Sequence, residues 1–146
     1  MCLDCYNINN NWGWLEESEL SKEINVILGD IRDFDSVHDA TAGQDIIFHL
    51  AAQPLIYAGY KKPYDTYNVN FNGSLNVVDI VLSAKFTKSL IIVTSDKCYE
   101  SNNSTTGFKE SDILGGIDPY SGSKSSTEIM VRTYRESFFK FKKVGV

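Results

Sequence analysis

Three short apolar runs, at residues 24–28, 45–50 and 90–94, are each followed by a stretch with helical spacing. This alternation constrains the fold more than any other feature of the chain. A strand that hands over to a helix rejoins its sheet in parallel, because a tight turn cannot connect parallel neighbours. The second run, Asp45-Ile46-Ile47-Phe48-His49-Leu50, is apolar at alternate and intervening positions alike. Such a strand expects cover on both faces, as in an open parallel α/β sheet. Residues 143–146 read as the beginning of a fourth strand.

Helices are expected over 33–42, from Pro63 onward, and from Pro119 onward, since proline suits a first helical turn. In the long middle helix Tyr67, Phe71, Leu75, Val78 and Leu82 recur at three- and four-residue steps and mark its expected buried face. In the last helix the apolar positions are Met130, Val131, Tyr134 and Phe138. Residues 1–20 carry Asn7, Asn9, Asn10, Asn11 and Gly13 and show neither period, so they are expected to be poorly ordered. The expectation is one domain over 21–146 behind a loose N-terminal segment.

The charge is uneven. Residues 1–50 hold ten acids and two bases, residues 51–146 nine acids and twelve bases. Lys140, Lys142 and Lys143 are the one basic cluster and read as a solvated helix end, so nucleic acid is not an expected partner. No run is long enough to cross a bilayer, and no secretory leader is apparent at the N-terminus, so no membrane association and a cytoplasmic location are expected. Cys2 and Cys5 form a lone C-x-x-C without a second pair or a nearby histidine, so no metal site is expected.

The chemistry gathers between Thr94 and Lys124. Thr94-Ser95-Asp96-Lys97-Cys98-Tyr99-Glu100 follows the third strand, at the end where open α/β sheets place ligands. Tyr120 and Lys124, four residues apart, share one face of the next helix. An ammonium beside a phenol favours the phenolate, which makes the pair a usable base for a hydroxyl proton. By itself Y-x-x-x-K is common by chance, and a solvated Tyr–Lys pair is the plain alternative. Ser95 adds a hydroxyl for the same oxygen, or satisfies loop backbone. Asp96 and Lys97 add a second acid–base pair, provided burial turns the lysine into a base. Asp30 after the first strand could meet an adenine edge or cap a turn. Asn70 could reach the site or hold a neighbouring loop. His49, inside an apolar strand, reads as a satisfied core histidine.

The ordered set GDIRD (29–33), FHLAAQPL (48–55), TSDKCYE (94–100), GFKESDILGG (107–116) and DPYSGSK (118–124) resembles the extended short-chain dehydrogenase/reductase family. Within it the chain is most similar to the CDP-glucose 4,6-dehydratases. The resemblance implies an α/β, partial Rossmann-type, doubly wound parallel sheet supplying strands 3, 4, 5 and the start of strand 6 of the family order. It implies NAD as cofactor and a nucleotide sugar, CDP-glucose first, as substrate. Tyr120, Lys124 and Ser95 would form the catalytic triad, Asp96 would protonate the departing 6-hydroxyl, and Lys97 would take the C5 proton. Asp30, Ile31, Leu50, Ala51, Ala52 and Asn70, with Tyr120 and Lys124, would line the cofactor. The product would be a 4-keto-6-deoxy sugar for surface polysaccharide. Two other readings stand beside this one: another nucleotide-sugar epimerase or dehydratase, and a non-catalytic remnant or interaction module.

The chain departs from the family in several places. No G-x-x-G-x-x-G loop precedes the first strand, Gly59 stands where serine is usual, and Tyr57 where arginine is common. An incomplete chain with little independent activity is therefore expected. Without strands 1 and 2 the run at 24–28 would lack a neighbour, and the run at 45–50 would expose an apolar edge. Direct pairing of these two runs, partial folding, or self-association are the expected consequences.

Overall fold

A computed structural model describes residues 22–100 and 107–146 in full, and the backbone of residues 2–4. Strand β1 is Cys2–Asp4, β2 is Val26–Leu28, β3 is Ile46–His49 and β4 is Ser89–Ile92. Helix α1 spans Phe34–Thr41, α2 Ile56–Lys61, α3 Pro63–Tyr67, α4 Gly73–Ser83 and α5 Pro119–Ser137. The strand–helix alternation legible in the sequence is the architecture found.

β3 and β4 run parallel, with Ile46 opposite Ser89 and His49 opposite Ile92. Gly145 bridges to Ser89 in parallel, donating to Lys88 O at 2.9 Å and accepting from Leu90 N at 2.8 Å, so residues 143–146 do begin a further strand on the far edge of β4. The chain thus steps one way from β3 to β4 to Gly145. Right-handed crossovers then put α4 and α5 on the same face, where they pack together.

The N-terminus differs from expectation. Cys2–Asp4 forms a strand and pairs in parallel with β2, Leu3 opposite Ile27. Val26–Leu28 therefore has a neighbour, and it does not pair with β3; among the described residues the two sheets are separate. Three residues are too few to show a period, so this pairing could not be read from spacing. The rest of the segment expected to be loose, residues 5–21, lies outside the described residues.

The core is formed by Ile31, Val69, Val78, Val81, Leu90 and Phe139, among others, between the sheet and α4 and α5. Strand side chains alternate between faces. In β3, Ile47 and His49 turn toward the helices, whereas Ile46 and Phe48 are 54% and 65% exposed. Ile91 and Val93 are exposed beside β3 in the same alternation. Among the described residues the sheet is covered on one face only, which is more than the open edge expected from the sequence.

The long middle helix is also not as its pattern suggested. Between α3 and α4 the segment Asn68–Asn72 is a π-helical turn. The wider turn rotates the face presented to the core. The buried residues are Thr66, Val69, Asn70, Gly73, Ser74, Val77, Val78, Ile80 and Val81, while Tyr67 is exposed and Phe71, Leu75 and Leu82 are half-buried against the core. Gly73 is needed where α4 crosses the loop after β2: a Cβ there would lie 2.8 Å from Ile31 Cγ2.

Candidate functional site

The site is organised by the start of α5. Asp118 caps it, accepting from Tyr120 N at 2.9 Å, Ser121 N at 3.0 Å and Ser121 Oγ at 2.5 Å, with Pro119 in the first turn. The sequence Asp-Pro-Tyr-Ser is thus a local device that sets the turn carrying Tyr120. One turn on, Lys124 is buried and its Nζ donates to Val93 O at 3.3 Å. Burial pulls the Lys124 ammonium below the ordinary lysine range, and the Glu128 carboxylate opposes that shift.

Beyond Val93 the chain forms a 3-10 turn at Asp96–Cys98, capped by Ser95, whose Oγ accepts from Lys97 N at 3.2 Å and donates to Asp96 Oδ1 at 3.1 Å. α5 packs directly on this turn, and Ser125 Oγ donates to Cys98 O at 2.6 Å. The hydroxyl of Ser95 and the residues Tyr120 and Lys124 are therefore carried by two elements in contact at the carboxyl end of β4. Asp96 and Lys97 are both exposed. The burial that would make Lys97 a base is not supplied by the described residues. The Cys98 thiol is buried and held above its ordinary range, chiefly by that burial, which leaves it protonated and inert.

Three of the residues expected along a cofactor share one cleft. Ile31, Leu50 and Ala51 line a space of about 330 Å³ beside β3, together with Val37, Ile47 and His49. Ala52 follows at the strand end, half-buried. Asp30 lies at the carboxyl side of β2 with its carboxylate held by Arg32, through Nη2 at 2.5 Å and Nε at 3.0 Å. That pairing, by hydrogen bond first, keeps Asp30 below the usual carboxylate range. Ser95, Tyr120 and Lys124 do not line the cleft. His49 stands between the two groups: it lines the cleft, and its carbonyl accepts from Val93 N at 3.0 Å.

Asn70 is fully buried and satisfied by protein. Its Oδ1 accepts from Gln53 N at 2.7 Å, and its Nδ2 donates to Gln53 O at 3.1 Å and Ser123 Oγ at 2.9 Å. Of the two roles open from the sequence, loop-holding is the one these bonds perform. Ser123 Oγ in turn donates to Tyr120 O at 2.6 Å, so the loop after β3 is tied to the turn that carries Tyr120. The Asn70 carbonyl accepts from Ser74 Oγ at 2.6 Å and Thr127 Oγ1 at 3.1 Å. Sequence reasoning missed Gln53, Ser123 and Thr127, because polar residues without period carry no signal until the helices meet.

The two departures at 57 and 59 sit differently. Gly59 is buried against α5, and a Cβ there would lie 3.3 Å from Tyr120 N. Tyr57 is exposed, with Lys61 Nζ 4.6 Å from its ring centre. Among the described residues no cluster of potential metal ligands occurs, and no helix is long and apolar enough to cross a membrane.

Residues 4–145 match the family model described as GDP-mannose 4,6 dehydratase. The CDP-glucose 4,6-dehydratase of Salmonella typhimurium is 39% identical over 114 residues, covering 77% of this chain and 32% of that protein. The glycan biosynthesis protein Agl12 of Haloferax volcanii is 33% identical over 75% of this chain and 34% of that protein. The chain thus spans about a third of the length of these curated relatives. Among solved structures, a dTDP-glucose 4,6-dehydratase from Streptomyces venezuelae with NAD bound superimposes with a TM-score of 0.78 at 24% identity, over 92% of this chain and 41% of that one. That likeness identifies the fold as Rossmann-like.

Proposed function

The chain belongs to the GDP-mannose 4,6 dehydratase family, and from that premise we propose that it carries part of the active site of a nucleotide-sugar 4,6-dehydratase, of the kind that turns CDP-glucose into CDP-4-keto-6-deoxyglucose. The observation that carries this reading is the contact of two elements: the helix turn bearing Tyr120 and Lys124, and the strand-end turn bearing Ser95, Asp96 and Lys97. An epimerase has no use for Asp96 and Lys97 beside the triad, whereas loss of water requires an acid and a carbon base.

The residues present suit NAD in part. The cleft beside β3 has mainly apolar walls and reaches the small Ala51, with Ala52 next along the chain, which allows close backbone approach. A glycine-rich pyrophosphate cradle is not among the described residues. NAD, when bound, supplies the hydride acceptor at the start of the cycle and gives the hydride back at its end.

In this reading Tyr120 takes the proton of the sugar 4-hydroxyl, Lys124 holds the positive charge behind it, and Ser95 hydrogen-bonds the same oxygen. Asp96 gives its proton to the leaving 6-hydroxyl, and Lys97 takes the proton from C5. Bound sugar would provide the cover that Lys97 lacks. The reaction would run in the cytoplasm and feed deoxysugar synthesis for surface polysaccharide.

The test has two arms. A thermal-unfolding titration with NAD should raise the midpoint, since binding to the folded state alone stabilises it; no shift at millimolar NAD removes independent cofactor use. In a full-length dehydratase carrying these residues, Lys97→Ala should retain oxidation at C4 and lose water elimination. Equal loss of both steps would defeat the role given to Lys97.

We also propose that the chain self-associates through the uncovered face and edge of β3. The exposed Ile46, Phe48, Ile91 and Val93 support this, because parallel strands are normally covered on both faces. Sedimentation should show concentration-dependent assembly, and Phe48→Lys should reduce it. A monomer at all concentrations with little binding of an apolar dye would argue the opposite.

A further inference from the structure

α5 is tied to the segment after β4 at three successive points. Lys124 Nζ donates to Val93 O, Thr94 Oγ1 donates to Glu128 Oε1, and Ser125 Oγ donates to Cys98 O. Ser95, Asp96 and Lys97 are the residues strung between these ties. Their presentation therefore depends on how firmly Thr94 and Cys98 are held. Of the three ties, the one at Glu128 joins a partly buried carboxylate to the residue immediately before Ser95.

Glu128 also lies one helical turn from Lys124, the buried ammonium of the site. A buried ammonium needs a compensating charge close by. The other titratable groups around it do not provide one. His49, from β3, is neutral, disfavoured as a cation first by its burial and then by Lys124. Tyr120 lies on the same helix as Lys124. On the 3-10 turn the Cys98 thiol is protonated, and Asp96 is exposed and bonded to Ser95. Glu128 is the acid whose charge supports the Lys124 ammonium.

We propose that Glu128 is a positioning residue of this site, holding the 94–98 turn to α5 through Thr94 while supplying the negative charge that keeps Lys124 an ammonium. It touches neither sugar nor cofactor; it acts through Ser95 and Lys124. The assignment rests on the reading of those two residues given above, but its test needs neither NAD nor a sugar.

The chain is prepared with lysine labelled at Cε, and the Lys124 signal is identified as the one missing from Lys124→Met. Glu128→Gln keeps an acceptor for Thr94 and removes the charge. Its Lys124 signal should titrate at lower pH than in the parent chain, whereas Glu128→Asp, which keeps the charge, should stay near the parent. An unchanged or higher midpoint in Glu128→Gln overturns the charge role. Thr94→Val removes the tether and preserves shape, and is read even if Glu128→Gln fails to fold. Amide exchange at Cys98 and Tyr99, which donate to Ser95 O and Asp96 O, should quicken roughly tenfold or more, the scale of a lost hydrogen bond to a charged group, with the Lys124 midpoint unmoved. Unaltered exchange overturns the tether. A chain that ignores NAD yet shows both effects would keep this assignment and lose the functional reading, so the two fail separately.

Discussion

Asn70→Ala is expected to cost several kcal/mol of folding stability, since each buried group left without a partner costs about 1–3 kcal/mol. Asn70 has no exposed surface and makes three hydrogen bonds through its carboxamide. Truncation leaves Gln53 N–H, Gln53 C=O and Ser123 Oγ facing a small cavity, and the Gln53 N–H donates to no other acceptor. A loss on that scale is a large fraction of the total for a domain of this size. Asn70→Asp separates hydrogen bonding from volume. Its second carboxylate oxygen would face the Gln53 carbonyl and a serine oxygen whose hydrogen is already committed to Tyr120 O. That variant should be nearly as unstable at neutral pH and should recover as the pH falls and the carboxyl protonates. Urea midpoints for the two variants decide the matter: a loss under 1 kcal/mol for Asn70→Ala would mean the loop does not depend on this side chain.

The second large effect is a pH dependence carried by His49. The ring is buried, and burial, with the Lys124 charge second, lowers its pKa to about 4. Ser74 commits its hydrogen to the Asn70 carbonyl at 2.6 Å, so Ser74 Oγ accepts from His49 Nε2 at 2.8 Å and the ring is held as the neutral Nε2–H form. An unfolded histidine titrates near 6.5. Between that value and about 4 the unfolded chain binds more protons, so stability rises with pH through this window. The contribution is complete above pH 6.5, is lost progressively as the pH falls, and is gone below about 4. The whole span corresponds to roughly 3 kcal/mol. The carboxylate of Asp30, lowered by Arg32, gives a loss in the same direction at the acid end. The informative quantity is therefore the difference between the parent chain and His49→Gln. Stability curves that remain parallel between pH 7 and 4 would show that His49 is not the titrating group.

The two effects have one physical origin. The face on which α4 meets α5 is lined by Asn70, Ser74, Ser123 and Thr127, all buried. Small polar side chains let the helices approach closely, and each hydroxyl or amide must then find a partner inside the contact. Among the described residues every buried side-chain nitrogen and oxygen has one. The site inherits its rigidity from this seam, because Tyr120 and Lys124 project from the helix that the seam positions.

The positions of β2, β3 and β4, the helices that follow them and the proline start of α5 were legible in the chain alone, since each depends on local period or local chemistry. So was the grouping of Ser95, Asp96 and Lys97 at a strand end, which follows from sequence order and the direction of a parallel strand. The buried face of the long helix was read in part: Val78 is buried and Phe71, Leu75 and Leu82 pack against the core, whereas Tyr67 is exposed. A single π turn at Asn68–Asn72 shifts the register without leaving any mark in apolar spacing. Apolar spacing marked the side that carries Phe71, Leu75 and Val78, but packing against α5 also buries small polar residues that spacing does not mark, where closeness rather than apolar area holds the contact. The pairing of Cys2–Asp4 with β2 and the charge that Glu128 places beside Lys124 likewise exist only once distant segments are brought together. By itself the sequence determined which groups could do chemistry and at which ends of which elements they would stand. The tertiary structure decided which of them are buried, what each is bonded to, and hence which charges they hold, because burial and partnership are properties of neighbours that lie far apart along the chain.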